Sequence, residues 1–417
     1  MDTPETHTRA EPRAEEVTAA KLGISFAEFV GLMALMMALT ALSIDIMLPG
    51  LPEIGAAFAI ADPNDRQVVV TSYLVGFAAG QLLYGPLSDR FGRKPVLLAG
   101  LGVFALGTVM AVSVSTSLLL FTARAVQGFG AASPRVVSIA IVRDLFSGRD
   151  MARVMSFVMM VFIIVPVFAP AIGQVLLALG SWSWTFHALL VVAVLATAWA
   201  GFRLPETRRE QPSGPPIPLK RAIALTLAST ATVGYVVAAG FMFGCLMSYI
   251  GAAQQIFVDV YDLGVYFPLA FGAVASVMAV ASFTNSQLVH RHGMRRVSHT
   301  ALLCFLLIAV LLVGIALAAR PPLLLFCVLL AADFFMFGLI VPNFNAIAMH
   351  PLGRVAGTAS SIIGFSTTMA GAAFGWLVGQ LFDGTVLPLA AGFAVLALCA
   401  TLAVLAVEGR ERLFRGE

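Results

Sequence analysis

Charge is what this sequence has least of. Asp, Glu, Lys and Arg make up 11% of its 417 residues, whereas a soluble domain carries roughly a quarter because water must solvate its surface. The deficit excludes a water-soluble enzyme or regulatory domain. The formal net charge of +3 makes no case for a nucleic-acid partner. Cysteine is equally sparse. Cys245, Cys304, Cys327 and Cys399 fall inside apolar runs at no metal-ligand spacing, which excludes a disulfide framework and a zinc site and leaves four small hydrophobes. There is no phosphate-cradling Walker A loop, so ATP does not drive this protein directly, and no nucleophile elbow marks a hydrolase. The expectation is a non-enzyme with no cofactor and no metal. The first 25 residues lack an apolar core and read as a short polar tail, not a signal peptide.

What is present is hydrophobic. Apolar residues reach 59% and gather into runs of the roughly 20 residues that cross a bilayer. These runs fall near 27–48, 67–87, 95–115, 117–141, 153–178, 183–202, 222–250, 265–289, 298–318, 322–346, 356–381 and 386–407. Twelve spans predict an all-α, multi-pass membrane protein. Lys and Arg concentrate in cytoplasmic loops. All but four of the 25 lie in the chain ends and even-numbered loops; the exceptions are Arg66 and Arg320 in odd-numbered loops and Arg124 and Arg135 inside the fourth span. Both termini are therefore expected in the cytoplasm.

The longest polar stretch between spans, RLPETRREQPSGPPIPLKR at 203–221, separates six spans from six. Its proline, glycine and charge suit a linker between bundles. The expected organisation is a tail at 1–26, a bundle at 27–203, a linker at 204–221, a second bundle at 222–407 and a tail at 408–417. Internal repetition supports the division. GPLSDRFGRKP at 85–95 is followed 201 residues later by SQLVHRHGMRR at 286–296, so that Leu87, Arg90, Gly92 and Lys94 match Leu288, Arg291, Gly293 and Arg295. Two halves repeated in the same sense predict a parallel-repeat transporter.

Several stretches bear on function: SIDIMLPGLP (43–52), GQLLYGPLSDRFGRKP (80–95), RAVQGFGAA (124–132), AIVRDLF (140–146), PVFAPAIGQ (166–174) and LPETR (204–208). Together they resemble the bicyclomycin/chloramphenicol-resistance-like drug–proton antiporters of the major facilitator superfamily, mainly over residues 40–210. The resemblance implies the major facilitator fold, with twelve transmembrane helices in two six-helix bundles. It implies proton-coupled export of small amphipathic compounds across the inner membrane by alternating access. The partners would be a small-molecule substrate, protons and membrane lipid, and the protein a monomer. A metabolite exporter or importer on the same fold is the alternative. A non-transporting receptor fits poorly, having no need of acids at membrane depth.

Each stretch also has a physical reading. Gly85 and Gly92 permit close helix approach and a tight turn, and Asp89 lies beside Arg90, Arg93 and Lys94. In the resembled family such a cluster latches the bundles at the cytoplasmic mouth in the outward-open state. Topology alone would explain the basic residues but not Asp89 or the glycines. His290 stands where Asp89 stands, so an asymmetric latch is expected. Pro166 and Pro170 remove backbone donors and bend the fifth span, while Gly173 admits a neighbour. In the superfamily this motif accompanies exporters, although Gln174 replaces a more usual glycine.

An ionisable side chain inside the bilayer costs about 2.5–3.5 kcal/mol on insertion scales, so the four within the spans are the most informative. Asp45, near the outer end of the first span, falls on the acid of the SID-LP stretch, which implies proton coupling or substrate contact. A buried ion pair with Arg124 is the competing structural reading. Asp333, in the middle of the tenth span, is the candidate for a second carboxylate, against a plain hydrogen-bonding role. Arg124 and Arg135 lie within about 20° on one helical face. Both are expected to line the substrate cavity with Asp45, Gln127 and Asp333, and Arg124 to take part in proton coupling with the two acids, unless Pro134 re-aims the face or Arg135 reaches the headgroups. Met33, Met36, Met37, Met155, Met159 and Met160 read mostly as packing, and the lone His187 as structural.

Overall fold

The computed structural model describes residues 22–208 and 219–412. Most of the expected tails, and residues 209–218 of the linker, lie outside the described residues. Among the described residues, twelve helices are long and apolar enough to cross a membrane. They are α1 (Phe26–Asp45), α2 (Val68–Phe91), α3 (Arg93–Ser113), α4 (Ser117–Leu145), α5 (Gly148–Leu179) and α6 (Ser183–Arg203) in the first half. The second half holds α7 (Thr230–Gln254), α8 (Phe267–His292), α9 (Met294–Ala318), α10 (Leu323–Met349), α11 (Ala356–Gln380) and α12 (Leu387–Arg412), the last broken at Gly409.

The helix ends depart from the apolar runs for local reasons. Beyond α1 the chain rewinds through a 3-10 turn at Leu48–Gly50 into a short helix at Leu51–Ala57. Pro49 and Pro52 sit in the first turns of these pieces, where a missing N–H leaves no bond unmade. Asp45 is thus the last residue of the regular first segment. The seventh span, expected from 222, begins at Thr230. Ser229 is extended and its side chain accepts from the Thr232 amide, so the chain breaks there and leaves a separate short helix at Leu219–Ala228. In α5 the helix continues through both Pro166 and Pro170.

The two halves repeat one packing scheme. In the first, α2 and α3 flank α4, α3 packs on α6, and α1 touches α4, α5 and α6. Adding six to each number gives the second half: α8 and α9 flank α10, α9 packs on α12, and α7 touches α10, α11 and α12. The bundles meet along α2 with α11 and α5 with α8, two contacts that exchange under the same operation. The turns repeat as well. Gly92 and Gly293 separate α2 from α3 and α8 from α9 with φ of 103° and 79° and nearly equal ψ, a region where a side chain is strained. With an even number of spans, both chain ends share one face, called here the terminal face.

Large apolar side chains such as Phe202, Leu324 and Leu118 are exposed, as a lipid-facing exterior requires. Met33, Met36 and Met37 are buried packing residues, whereas Met160 is exposed. His187 is also exposed. Of the cysteines, all unpaired, Cys245 is buried and the other three are half-buried.

Candidate functional site

Asp45 is 2% exposed, and its Oδ1 has no hydrogen-bond partner among the described residues. A buried acceptor left unmade costs about 1–3 kcal/mol, which marks this oxygen as a candidate for use in another state or by a ligand. No ion pair joins it to Arg124, which removes the reading of a simple structural tie. The next residue, Ile46, presents its carbonyl to Gly173 of α5 so closely that a β-carbon there would collide with it. Six residues earlier on α5, Val167 lies against Gly272 of α8 in the other bundle. The PVFAPAIGQ stretch therefore links the helix of Asp45 to the bundle interface. Beside Gly272, Phe271 stacks on Tyr249 of α7 at 5.2 Å. The Tyr249 hydroxyl is buried, without a hydrogen-bond partner among the described residues, and within electrostatic reach of Asp45. Sequence reasoning missed it, since one tyrosine in an apolar span carries no anomaly.

Arg124 is fully buried. Its Nε donates to Val69 O at 3.0 Å, one terminal nitrogen to Ser43 O at 3.1 Å, and the other to Gln127. Gln127, also fully buried, donates to Thr108 at 2.8 Å. In this conformation Arg124 and Gln127 tie α4 to α1, α2 and α3 and face protein, not open space. Arg135 is only half-buried. It lies over the rings of Phe77 and Phe162 at 5.9 and 5.2 Å.

Asp333 is fully buried in the second bundle, and neither carboxylate oxygen has a hydrogen-bond partner among the described residues. Cys245 of α7 is within its electrostatic reach. Next to it, Phe334 packs against Tyr249 and Phe393. Among the described residues no group of His, Cys, Asp and Glu is arranged to hold a metal ion.

At the terminal face the hub is Arg93, not Asp89. Arg93 pairs with Asp89 and with Asp144 of α4, both at 2.6 Å, and donates to Ser88 at 2.7 Å. Glu206, just past α6, accepts from the amides of Arg93 at 2.8 Å and Lys94 at 3.1 Å, capping α3. Lys94 reaches Gly201 O at 2.7 Å, and Arg208 donates to Arg90 O at 2.8 Å. These bonds stay within the first half. Gly85 faces the other bundle, where a β-carbon would stand 2.9 Å from the Ser361 hydroxyl. The second half differs, as the sequence suggests. Arg295 pairs with Glu408 at 3.0 Å, and His290, Arg291, His292 and Arg296 surround a surface cavity of about 450 Å³.

The other face is joined across the bundles by side-chain amides that sequence reading did not single out. Gln67 donates to Gln255 at 2.9 Å and to Gly379 O at 3.3 Å. Gln255 in turn donates to Asn64 at 2.8 Å, and Asn64 to Phe382 O at 2.9 Å. Gln380 reaches Asp65 at 3.2 Å. The Gln67 side chain fills a slot between Gly251 and Gly379 that a β-carbon on either would occupy. Beneath it only about 10 Å³ of space remains, room for about one water. Gln255 opens a π-helical segment at Gln255–Val260, an irregularity frequent at functional sites.

A family model described as Major Facilitator Superfamily matches residues 33–376. A "Bicyclomycin resistance protein homolog" of Haemophilus influenzae is 33% identical, covering 91% of this chain and 94% of its own. A "Multidrug resistance protein MdtL" of Klebsiella pneumoniae is 27% identical over 80% of this chain and 84% of its own. The Escherichia coli xylose transporter XylE, solved in a partially occluded inward-open conformation, superposes with a TM-score of 0.72 at 14% identity. The match covers 91% of this chain and 97% of XylE, a likeness of fold alone.

Proposed function

The chain belongs to the Major Facilitator Superfamily, and from that premise we propose that it is a drug–proton antiporter, a monomer working in the inner membrane with both termini cytoplasmic. It is a multi-pass membrane transporter and not an enzyme. The observation that carries the reading is Asp45: a buried carboxylate with no counter-ion among the described residues, at the end of α1 that packs on α5. An acid so placed can accept a proton from one side and release it to the other as access alternates. The names of the relatives in Haemophilus and Klebsiella favour export of small amphipathic compounds, as does the helix 5 motif of Pro166, Pro170 and Gly173. No resident cofactor is required, the proton gradient supplying the drive.

In this reading Asp45 carries proton coupling and Asp333 supplies a second carboxylate. Arg124 and Gln127 hold α1 and α2 in register with the coupling site. Gly85, Asp89, Arg90, Gly92, Arg93 and Lys94 form the cytoplasmic gate. Its ion pairs stay within the first half, as an unlatched gate would require, while the amide joint of Gln67 and Gln255 ties the bundles together at the opposite face. The test is proton release from detergent-purified protein on addition of a panel of neutral, acidic and cationic compounds. At least one class should displace protons from the wild type and none from Asp45→Asn. Release that survives this substitution unchanged would end the assignment.

A further inference from the structure

The two arginines of α4 are held in contrasting ways. Each of the three guanidinium nitrogens of Arg124 has an acceptor, and the group is fully buried. Three of its five N–H donors are engaged, and full burial shuts the other two away from a ligand. Arg135 makes no hydrogen bond and no ion pair with any described residue, and it is half-buried, not sealed. Both belong to one aromatic ladder. Arg124 lies 4.6 Å from the Tyr73 ring, Tyr73 and Phe77 stack at 6.2 Å, and Arg135 covers Phe77 at 5.9 Å and Phe162 at 5.2 Å.

The supporting rings fix where Arg135 looks. Phe77 is one helical turn from Gln81, which crosses to Thr368 of α11 at 2.9 Å. Phe162 stands on α5, the helix that meets α8 through Val167 and Gly272. Both rings thus belong to the helices that face the second bundle. About 15 Å of helix, at about 1.5 Å per residue, separates Arg135 from the terminal-face end of α4 at Leu145. The guanidinium therefore lies deep along α4, between two helices that border the second bundle.

An unpaired guanidinium at membrane depth is costly, and its chemistry says what would relieve the cost. Its planar donor fork matches two acceptor oxygens in one plane, the geometry of a carboxylate. With no polar partner among the described residues, the fork is unengaged, and the two neighbouring rings offer apolar surface for a flat body. We infer that Arg135, with Phe77 and Phe162, is the anion-recognition end of the substrate site, and that the substrate class is amphipathic aromatic carboxylates. This deepens the transport reading above and rests on it.

The full-length protein in detergent is titrated with nalidixate, a planar aromatic carboxylate, and with tetraphenylphosphonium, a lipophilic permanent cation. Nalidixate should bind the wild type at least tenfold more tightly than the cation. Arg135→Ala should weaken nalidixate at least tenfold while leaving the cation equal or tighter. Arg135→Lys, a point charge without the fork, should recover only part of the loss. Phe162→Leu, which keeps the charge, should weaken nalidixate several-fold, and it keeps the test open if Arg135→Ala fails to fold. Unchanged nalidixate affinity in all three variants, no nalidixate binding to the wild type, or a wild-type preference for the cation each overturns the inference. Proton release by the compound panel, compared in Asp45→Asn, separates the two readings. If it is Asp45-dependent while the Arg135 variants are silent, transport stands and this assignment falls.

Discussion

The side-chain amide of Gln67 on α2 donates to the side-chain carbonyl of Gln255 just past α7 at 2.9 Å, joining the two bundles at the face away from the chain ends. The partners of Gln67 are a neutral amide and a backbone carbonyl, so protons do not titrate these two bonds, although Asp65 nearby accepts from Gln380. Alternating access requires these bonds to break, and their neutrality points to the buried acids as the trigger. Truncation by Gln67→Ala removes two bonds worth about 1 kcal/mol each, shifting the balance between closed and open by on the order of 30-fold. Amide exchange should then rise in 63–75 and 372–382 and fall at the terminal face, as that mouth closes. Faster exchange on both faces would instead mean general loosening, and the gating role would be lost.

Gly379→Ala tests the same slot from the other side. The added methyl runs into the Gln67 side chain, so closure should fail and turnover drop. Pairing it with Gln67→Ala should relieve the collision without restoring the bonds, giving back part of the turnover. No rescue in the double variant would place the defect elsewhere in α11.

Arg93 gives a second contrast. Its Asp144 partner is 13% exposed at the side chain and its Asp89 partner 52%. Removing one partner of a buried pair costs about 3–5 kcal/mol, an exposed one about 0–1. Asp144→Ala should therefore lower the melting temperature by several degrees. Asp89→Asn should leave it nearly unchanged and instead slow turnover with little change in affinity, because it alters the balance of states and not the site chemistry. A melting loss for Asp89→Asn equal to that for Asp144→Ala would make Asp89 structural.

Glu206 links this cluster to pH. Burial works to raise its carboxyl, but the backbone amides of Arg93, Arg208, Lys94 and Thr207 outweigh that effect and hold it below its ordinary value of 4.5. A depressed value in the folded protein means that the cap contributes fully above the ordinary value. The contribution is lost as pH falls through the folded one. Melting temperature should stay flat near neutral pH and fall in acid. Glu206→Gln should melt lower at neutral pH and show a shallower acid decline. An identical acid profile in wild type and variant would show that another group sets it.

The spans, their pairing into halves and the family were legible because apolar runs and glycine turns are local. The partners of Arg93 were not. Asp144 and Glu206 stand within AIVRDLF and LPETR, yet they reach Arg93 across 51 and 113 residues, and only packing reveals that. The amide joint was less visible still. Gln67 meets residues 188 and 312 positions away, and a neutral amide barely disturbs a hydropathy pattern. The helical phase put Arg124 and Arg135 on one face, but phase cannot tell that the carbonyls of Ser43 and Val69 occupy one and leave the other open.

Asp333 makes the sharpest separation of stability from function. Both of its oxygens are buried and unpartnered in this conformation, so it stabilises nothing that the structure shows. Exchanging an unsatisfied buried polar group for an apolar one of similar size is neutral or stabilising. Asp333→Leu should therefore hold or raise the melting temperature, while a proton carrier at this position would make the same variant lose gradient-driven transport in inverted vesicles. Asp333→Asn, which keeps the shape and hydrogen-bonding capacity but not the exchangeable proton, should be equally inactive. A stable and fully active Asp333→Asn would leave Asp333 a hydrogen-bonding group of another state. A marked melting loss in Asp333→Leu would show that the carboxyl has a structural partner.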